Sequence, residues 1–536
     1  MREAFRFSSL KSRRFILLLF SFCLFLSVNA QFQIDASFAD SGKKVFSVDN
    51  YDQSVDVVNW LNDTLLLAGN TVHADSTFDA DVFITRLLPD GEIDSSFGLN
   101  GLLRFDFDGF DFSTANELLV LPSSDVYLLG SGYASGNSTY VPFCLSKIKT
   151  DGTLDSAFGV NGTLKVDFAG LHETAKSIEV DSNGMILLCG STVDTSDLHS
   201  EVPVIARLFP NGALDTSFGE QGKVYIRFPQ GIVQDRSDRH LIGGLVQDLV
   251  VLPDGRIIAA GGYSNTLNLV AFFVCLHADG TIDSSFYGDG YLALDLTQGY
   301  NSDVLKLALK GNDLFFVAES STSSMRDFYF GNLDLFLNSY DLDILDFQLN
   351  EDAAKDMLID AAGEVLFCGN SILPAHNTPG YQSDYFAVGV LTKQTYPFSS
   401  TGSLFAINPT LQNGAAAFTT QSSGRIICAG FVNTAANETD IAMLAVNRIN
   451  TSIADEKLTT TARVFPNPAT ESVYYIPKKG RAESVYLYGP AGNLIRQWAN
   501  VTGTIVIERQ YLATGLYFLR SESKGEMPQV QKIIFQ

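Results

Sequence analysis

DGEIDSSFGLNG (90–101), DGTLDSAFGVNG (151–162), NGALDTSFGEQG (211–222) and DGTIDSSFYGDG (279–290) are four versions of one phrase. A shortened version, QIDASFADSG, covers 33–42. Its aromatic residue falls at Phe38, Phe97, Phe158, Phe218 and Phe286, at gaps of 59, 61, 60 and 68 residues. Carrying the period onward reaches two decayed copies at Tyr340 and Phe398, after 54 and 58 residues. A second phrase, an apolar run closing on small residues, counts the units independently. It reads LLLAGN (65–70), YLLGSG (127–132), ILLCGS (186–191), IIAAGG (257–262), LFFVAES (314–320), VLFCGN (365–370) and IICAGF (426–431). Two signals built from different residues agree on seven units, and a fixed period of this size marks a repeat architecture.

Each unit reads as four short strands. In the third, 164–168, 175–180, 185–189 and 204–208 are apolar or alternating runs, separated by Asp181-Ser182-Asn183-Gly184 and Pro210-Asn211-Gly212. Asn-Gly and Asp-Gly between such runs are hairpin signals because both residues tolerate positive φ. Helical periodicity is missing throughout. Seven four-stranded units, none able to cover its own apolar faces, predict an all-β chain folded as a seven-bladed β-propeller over 31–450. The phase predicts more. If each blade takes the leading strand of the next unit, then 43–48 completes the last blade and joins the two ends of the ring.

The repeated phrase resembles the delta-60 repeat, a β-propeller repeat of exported bacterial proteins, strongly in the first five copies and weakly in the last two.

The two ends of the chain read as addresses. Arg2, Arg6, Lys11, Arg13 and Arg14 precede a 13-residue apolar run, 15–27, and Val28-Asn29-Ala30 places small residues at −3 and −1. That is the pattern of a secretory signal peptide over 1–30, too short for the ~20 residues that span a bilayer. Cys23 follows Phe22, where a lipid-modified cysteine would need a small neighbour. Cleavage after Ala30 removes five positive charges and one negative, taking the net charge from −24 to −28. After a polar link over 451–461, new short strands fill 462–536 and predict a small Ig-like β-sandwich. VFPNPA (464–469), VYLYGPAGNLI (485–495), LATGLYFLR (512–520) and KIIF (532–535) resemble the C-terminal sorting domain of the type IX secretion system of Bacteroidetes-type bacteria. The resemblance implies passage through the outer membrane on the type IX machinery, with Phe465, Pro466, Asn467, Pro468, Gly492, Gly515, Tyr517 and Lys532 as motif residues. A generic Ig-like binding module is the alternative.

Composition narrows the chemistry. Of 536 residues, 46% are hydrophobic and 18% charged, and acids outnumber bases 60 to 36. That balance argues against nucleic acid, whose phosphates demand clustered Lys and Arg. The five cysteines beyond the signal peptide (Cys144, Cys189, Cys275, Cys368 and Cys428) are widely spaced, mostly in apolar runs, and read as small buried hydrophobes. Asp94, Asp155, Asp215 and Asp283 of the repeated phrase read as turn-capping carboxylates. Phe97, Phe158, Phe218 and Phe286 then plug the space between blades. The sharper alternative for these carboxylates is Ca²⁺ binding; no other cofactor is indicated. Asp106, Asp108 and Asp111, and Asp341, Asp343 and Asp346, alternate with apolar residues as on a half-wet strand, with a divalent-cation site as the alternative. The six histidines form no zinc-ligand cluster, and no G-x-S-x-G elbow or P-loop occurs.

The connections after the second phrase (71–80, 131–140, 191–201, 371–383 and 431–440) differ in length and fall at the same point of each unit. They therefore crowd one rim, where recognition resides on a rigid scaffold. His376, Tyr381 and Tyr385 in the sixth are the first candidates for a contact surface. The reading is an exported, monomeric surface or secreted propeller that binds a glycan, a protein or an extracellular polymer, not an enzyme. A propeller hydrolase or lyase and a purely structural surface component are the rivals. Acids of perturbed pKa converging at the channel mouth would favour the enzyme; a smooth, hydroxyl-rich rim would favour binding.

Overall fold

Glu173–Val180 pairs antiparallel with Ile186–Val193, that strand with Glu201–Leu208, and the last with Lys223–Tyr225, in a computed structural model of the protein. The turn between the first two is set by Asp181, whose Oδ1 accepts the N–H groups of Asn183 and Met185, while Gly184 takes a positive φ of 79°. The side-chain oxygen supplies what a backbone turn would, and glycine supplies the φ. The middle strand Ile186–Val193 is buried on both faces, whereas Glu173–Val180 alternates. This is the burial expected of a sheet sandwiched between neighbours.

The structure describes residues 32–448 and 463–535, except 73–78, 138–139, 169–171, 194–200, 229–242, 266–267, 295, 297–300, 322–325, 336–338, 346–350, 374–382, 393–398, 409–410, 436–437, 466–471, 477–482, 490–492, 503–504, 510–511 and 524–528. The signal-peptide reading of 1–30, His376, Tyr381, Asp346 and Phe398 lie outside the described residues. The chain divides into two compact units, 1–449 and 450–536.

Among the described residues of the larger unit, the same four-stranded arrangement occurs seven times. Its first strands are Tyr51–Asn59, Phe112–Val120, Glu173–Val180, Gly244–Val251, Asn301–Lys310, Glu351–Ile359 and Asn413–Thr420. Each first strand lies beside the next, and the seventh lies beside the first, so the first strands form a closed inner ring. This is the architecture of a β-propeller, with the first strands innermost. Single parallel bridges, Ala80 to Phe112, Val141 to His172 and Thr439 to Tyr51, tie neighbouring sheets at three of the seams.

Each of the seven gaps between sheets holds its own apolar core, drawn from both flanking sheets. Five gaps contain the aromatic residue of the repeated phrase: Phe38, Phe97, Phe158, Phe218 and Phe286, all nearly solvent-free. Burying each is worth about 1.5–3 kcal/mol. The Asp-Gly that opens the phrase belongs to the same device. Gly152 sits on Phe97 with φ of 82°, and a Cβ there would lie 2.9 Å from the ring and 2.5 Å from the Gly98 nitrogen. Gly98 N–H in turn donates to Asp151 O at 2.9 Å. One unit's Asp-Gly thus clamps the previous unit's Phe-Gly. The decayed sixth copy departs from this scheme: Tyr340 is 43% exposed on the strand Ser339–Leu345. Phe328, Phe330 and Phe367 fill the gap between the fifth and sixth sheets instead, the last two stacked at 6.4 Å.

Closure follows the predicted phase. Lys43–Phe46 adds antiparallel to Glu438–Arg448, pairing Lys43 with Leu444 and Phe46 with Ile441, and Phe32–Ile34 extends along the same strand. Arg425 of the seventh sheet seals the seam by donating to Asp35 (2.6 Å), Ser37 (2.8 Å) and Pro89 O (2.9 Å).

In the smaller unit, Arg463–Phe465, Ser472–Ile476 and Ile505–Glu508 form one antiparallel sheet. Leu494–Val501, Glu483–Tyr488, Gly515–Ser523 and Gln529–Phe535 form another. Val473, Tyr475 and Ile507 from the first share a core with Val485, Leu487, Leu519 and Ile533 from the second, so the two sheets face each other.

Candidate functional site: the axial cavity

Every innermost strand carries a β-bulge at the same place, between Ser54/Asp56, Ala115/Glu117, Ala175/Ser177, Val246/Asp248, Val304/Lys306, Ala354/Asp356 and Ala415/Ala417. A bulge re-aims its extra residue. Here Val55, Asn116, Lys176, Gln247, Leu305, Lys355 and Ala416, one from each sheet, line a cavity of about 380 Å³ on the ring axis.

Below that layer, the residues after the bulges bolt the ring together. Asp56 Oδ2 accepts Leu118 N–H of the next sheet (2.8 Å), Glu117 Oε2 accepts Ile178 N–H (2.7 Å), Asp248 Oδ2 accepts Leu307 N–H (2.7 Å) and Asp356 Oδ2 accepts Phe418 N–H (3.1 Å). Ser177, at the same position in the third sheet, donates to Asp248 Oδ1. Each acid thus satisfies a backbone donor across a seam, a charge-assisted bond stronger than a neutral one. The fifth sheet puts Lys306 at this position, and its ammonium pairs across the axis with Glu117.

The crowding shifts these groups. Burial, then the charges of Glu117 and Asp356, raises the Asp56 carboxyl to about 7. Burial raises Asp356 to about 6, against the pull of Lys306. Burial, with Asp248 and Glu117, raises Glu179 to about 7. Burial opposes the Lys306 ammonium, yet Glu117, Asp248 and Asp356 outweigh it and raise its pKa. About a quarter of the Lys306 side chain still meets cavity solvent, so the layer is screened rather than dry.

The bulge layer is charged differently. Lys176 and Lys355 reach the cavity from the third and sixth sheets, and neither has a hydrogen-bond or ion-pair partner among the described residues. Burial depresses Lys176, Asp303 partly restores it, and Lys355 opposes it. Asp303 is raised to about 7 by burial, although Gln247 donates to its Oδ2 at 2.6 Å. A second cavity of about 200 Å³ shares Asn116 with the first and lies toward the rim where the innermost strands begin. Phe112 and Tyr133 line it with rings stacked at 4.7 Å, beside Thr114, Thr174 and His172.

The residues singled out in the sequence lie elsewhere. Asp94, Asp215 and Asp283 each accept the N–H and hydroxyl of the serine two residues on, and Asp155 accepts Ala157 N–H. Their other oxygens face Arg86, Arg207, Arg256 and, for Asp155, Lys147 at 3.5 Å. That cation stands where a metal ion would have to bind. Hydrogen bonds and the adjacent guanidinium outweigh burial and hold Asp215 and Asp283 below the usual carboxylate range. The stretch 106–111 is the crossover from Leu102–Phe105 to Phe112–Val120 rather than a strand, with Phe107 and Phe110 turned inward. Its acids part company. Asp106 joins Asp79 and Asp81, whose nearest oxygens lie within 4.8 Å of one another, and Arg104 pairs with Asp81. Asp108 accepts from Asn161, and Asp111 from Ser135 N–H. Asp341 and Asp343 lie on Ser339–Leu345. Cys144, Cys189, Cys275, Cys368 and Cys428 are free and buried, which raises each thiol. The stretch 431–440 is mostly strand, with Ile426–Ala435 and Glu438–Arg448 paired antiparallel as far as Ala435 and Glu438. Tyr385 lies on the strand Ser383–Thr392.

In the smaller unit, Tyr517 is buried and donates its hydroxyl to Ala513 O at 2.9 Å. Gly515 opens its strand, Phe465 closes Arg463–Phe465, and Lys532 lies on Gln529–Phe535. Pro466, Asn467, Pro468 and Gly492 lie outside the described residues.

The cavity went unnoticed in the sequence, although its signal was there. Aligning the inner strands by unit stacks V-D-V, N-E-L, K-S-I, Q-D-L, L-K-L, K-D-M and A-A-F into one column. A polar pair at a fixed point of an apolar strand is what a bulged, axis-facing position requires.

Residues 182–218 and 252–286 match the family model of a domain of unknown function, DUF5122, described as a β-propeller. Residues 463–536 match the secretion system C-terminal sorting domain. No curated protein matches the chain. Among solved structures, an unknown function protein from Dyadobacter fermentans is 10% identical over 76% of this chain and 99% of its own, with a TM-score of 0.36. The β-propeller domain of the trilobed protease from Pyrococcus furiosus is 8% identical over 75% of this chain and 96% of its own, at 0.40. The polysaccharide lyase Uly1 is 10% identical over 73% of this chain and 89% of its own, at 0.41. The propeller repeat carries its own C-terminal sorting tail, which marks the chain for export by the type IX system.

Proposed function

We propose that this chain, a propeller bearing its own export tag, is an extracellular binding module whose ligand seats in the axial cavity. Export through the type IX machinery would place it on the cell surface or outside the cell, its leader removed after Ala30 and its seven sheets acting as seven blades of a monomer. One observation carries the binding role: all seven sheets turn a bulged residue onto the axis, and the resulting cavity holds polar groups that the fold itself leaves uncommitted. A cavity of this size lies at the lower end of the range for ligand sites. The test is binding of a saccharide and peptide library to the secreted chain and to Ala416→Trp, which fills the cavity from a position whose methyl side chain makes no polar contact. Loss of binding with an unchanged melting temperature supports the reading; full retention removes the cavity from it. Deleting 463–536 should leave the protein inside the outer membrane in cell fractions.

A hydrolase or lyase is favoured by one feature, the converging Asp56 and Asp356 with raised pKa values. Both acids accept backbone N–H groups across seams, however, which commits them to holding the ring. Structural networks perturb pKa values as readily as active sites do. Chain cleavage of any bound saccharide, lost in Asp356→Asn, would establish the enzyme.

A further inference from the structure

We infer that the axial cavity takes the carboxylate of an acidic saccharide, held between Lys176 and Lys355, with a neighbouring sugar ring against Phe112 and Tyr133. The inference rests on the cavity being a binding site and names what it binds.

The argument starts from an asymmetry. The protein carries a net charge of −24, so an empty cavity would be expected to favour cations. Yet the acids lining this cavity are engaged. Glu117 holds Lys306 and Ile178 N–H, Asp56 and Asp356 take backbone donors across seams, and Glu319 is also partnered, while Asp303, outside the lining, takes Gln247 through Oδ2 alone. The two lysines are not engaged. They stand on sheets three apart in a ring of seven, so they face the axis from opposing sides, close enough for one charge to oppose the other. Lys176 is half-buried and makes no hydrogen bond to an acid, and Lys355 stands exposed in the same cavity, so an anion joining the two offsets the cost of burying the first. A carboxylate has two oxygens and accepts one charge-assisted hydrogen bond from each side.

The second cavity specifies what bears the carboxylate. It opens off the first at Asn116, whose Nδ2 is held by Ala175 O and whose carbonyl oxygen is left to accept a hydroxyl. Its wall is a stacked aromatic pair flanked by Thr114, Thr174, His172 and Val141, with the buried Glu173 carboxylate committed to Phe168 N–H. An apolar ring face beside hydroxyls and an imidazole suits a pyranose, which is itself apolar on its C–H face and hydroxylated at its edge.

The experiment is titration calorimetry on the secreted chain with four probes: the trimers of galacturonate and of mannuronate, the methyl ester of the first, and an acidic tripeptide of equal charge. At least one uronate trimer should bind, weakening as salt rises. The ester should bind ~10–100-fold less tightly, the range for losing a charged hydrogen-bond partner. Lys176→Gln and Lys355→Gln should each weaken the acid ~10-fold without lowering the melting temperature, since neither lysine has a partner to lose; Lys176→Arg should restore it. Tyr133→Ala should weaken acid and ester alike. Equal affinity for acid and ester, or affinity unmoved by either lysine, would overturn the acidic-saccharide inference and leave a binding propeller for neutral sugars. A preference for the tripeptide would overturn it in favour of a peptide. Binding of none of the four would end this inference, while loss of library binding in Ala416→Trp would still uphold the broader one.

Discussion

Lys306→Met removes an ammonium from a layer in which Asp56, Glu117, Glu179, Asp248 and Asp356 meet. Breaking a fully buried pair costs about 3–5 kcal/mol because the remaining charge is stranded. Here the side chains of Lys306 and Glu117 keep 24% and 16% of their surface, so cavity water recovers part of that and about 2–3 kcal/mol is expected. With an unfolding entropy of about 2 cal/mol/K per residue, a unit of this length should melt ~2–4 °C lower. The deficit should depend on pH, and its sign follows from the acids. Carboxyls raised to about 7, 7 and 6 at Asp56, Glu179 and Asp356 bind protons more tightly folded than unfolded. Their contribution therefore worsens as pH climbs from about 4 to about 7. At pH 8 they are charged and need Lys306; at pH 5 they are largely neutral and do not. Scanning calorimetry of wild type and variant at both pH values measures the difference. A deficit as large at pH 5 as at pH 8, or none at pH 8, would refute the account of this layer.

Asp56 separates charge from hydrogen bonding: Asp56→Asn keeps an acceptor for Leu118 N–H and should stabilise the ring at pH 8 but not at pH 4, whereas Asp56→Ala should cost about 1–3 kcal/mol at both by orphaning that donor, as urea melts at the two pH values would report. Removing residues 31–48 exposes the edge of Glu438–Arg448 and takes Phe38 from its core; size-exclusion chromatography should find oligomers or aggregate, and a stable monomer would show that the latch is dispensable.

Much of this fold could be read in advance because its repeat is written in residues with single purposes. Asp-Gly and Phe-Gly recur since only glycine fits under the preceding ring at Gly152, and Phe97 or Phe218 recurs since each gap needs a plug. The short strands expected over 462–536 are found from Arg463–Phe465 to Gln529–Phe535. The fifth and sixth units resisted, because Phe328, Phe330 and Phe367 fill their shared gap from strands instead of from the phrase. The cavity was obscured for another reason. Its residues come from seven strands and share no identity, being Val, Asn, Lys, Gln, Leu, Lys and Ala at one position, and only the bulges make them neighbours. The run FDFDGFDF misled because its alternation mimics a strand, while Gly109 and the inward Phe107 and Phe110 make it a turn.

The latch also bears on how the protein comes to be folded. Within a sheet every pairing is between near neighbours along the chain, so six of the sheets can form as soon as they are made. The seventh cannot: Leu444 must wait for Lys43, far back along the chain, whose strand has had no mate until then. A shortened product ending anywhere in between is thus not a smaller ring but an arc with two adhesive ends, and the loop-closure entropy of joining them falls entirely on the last step.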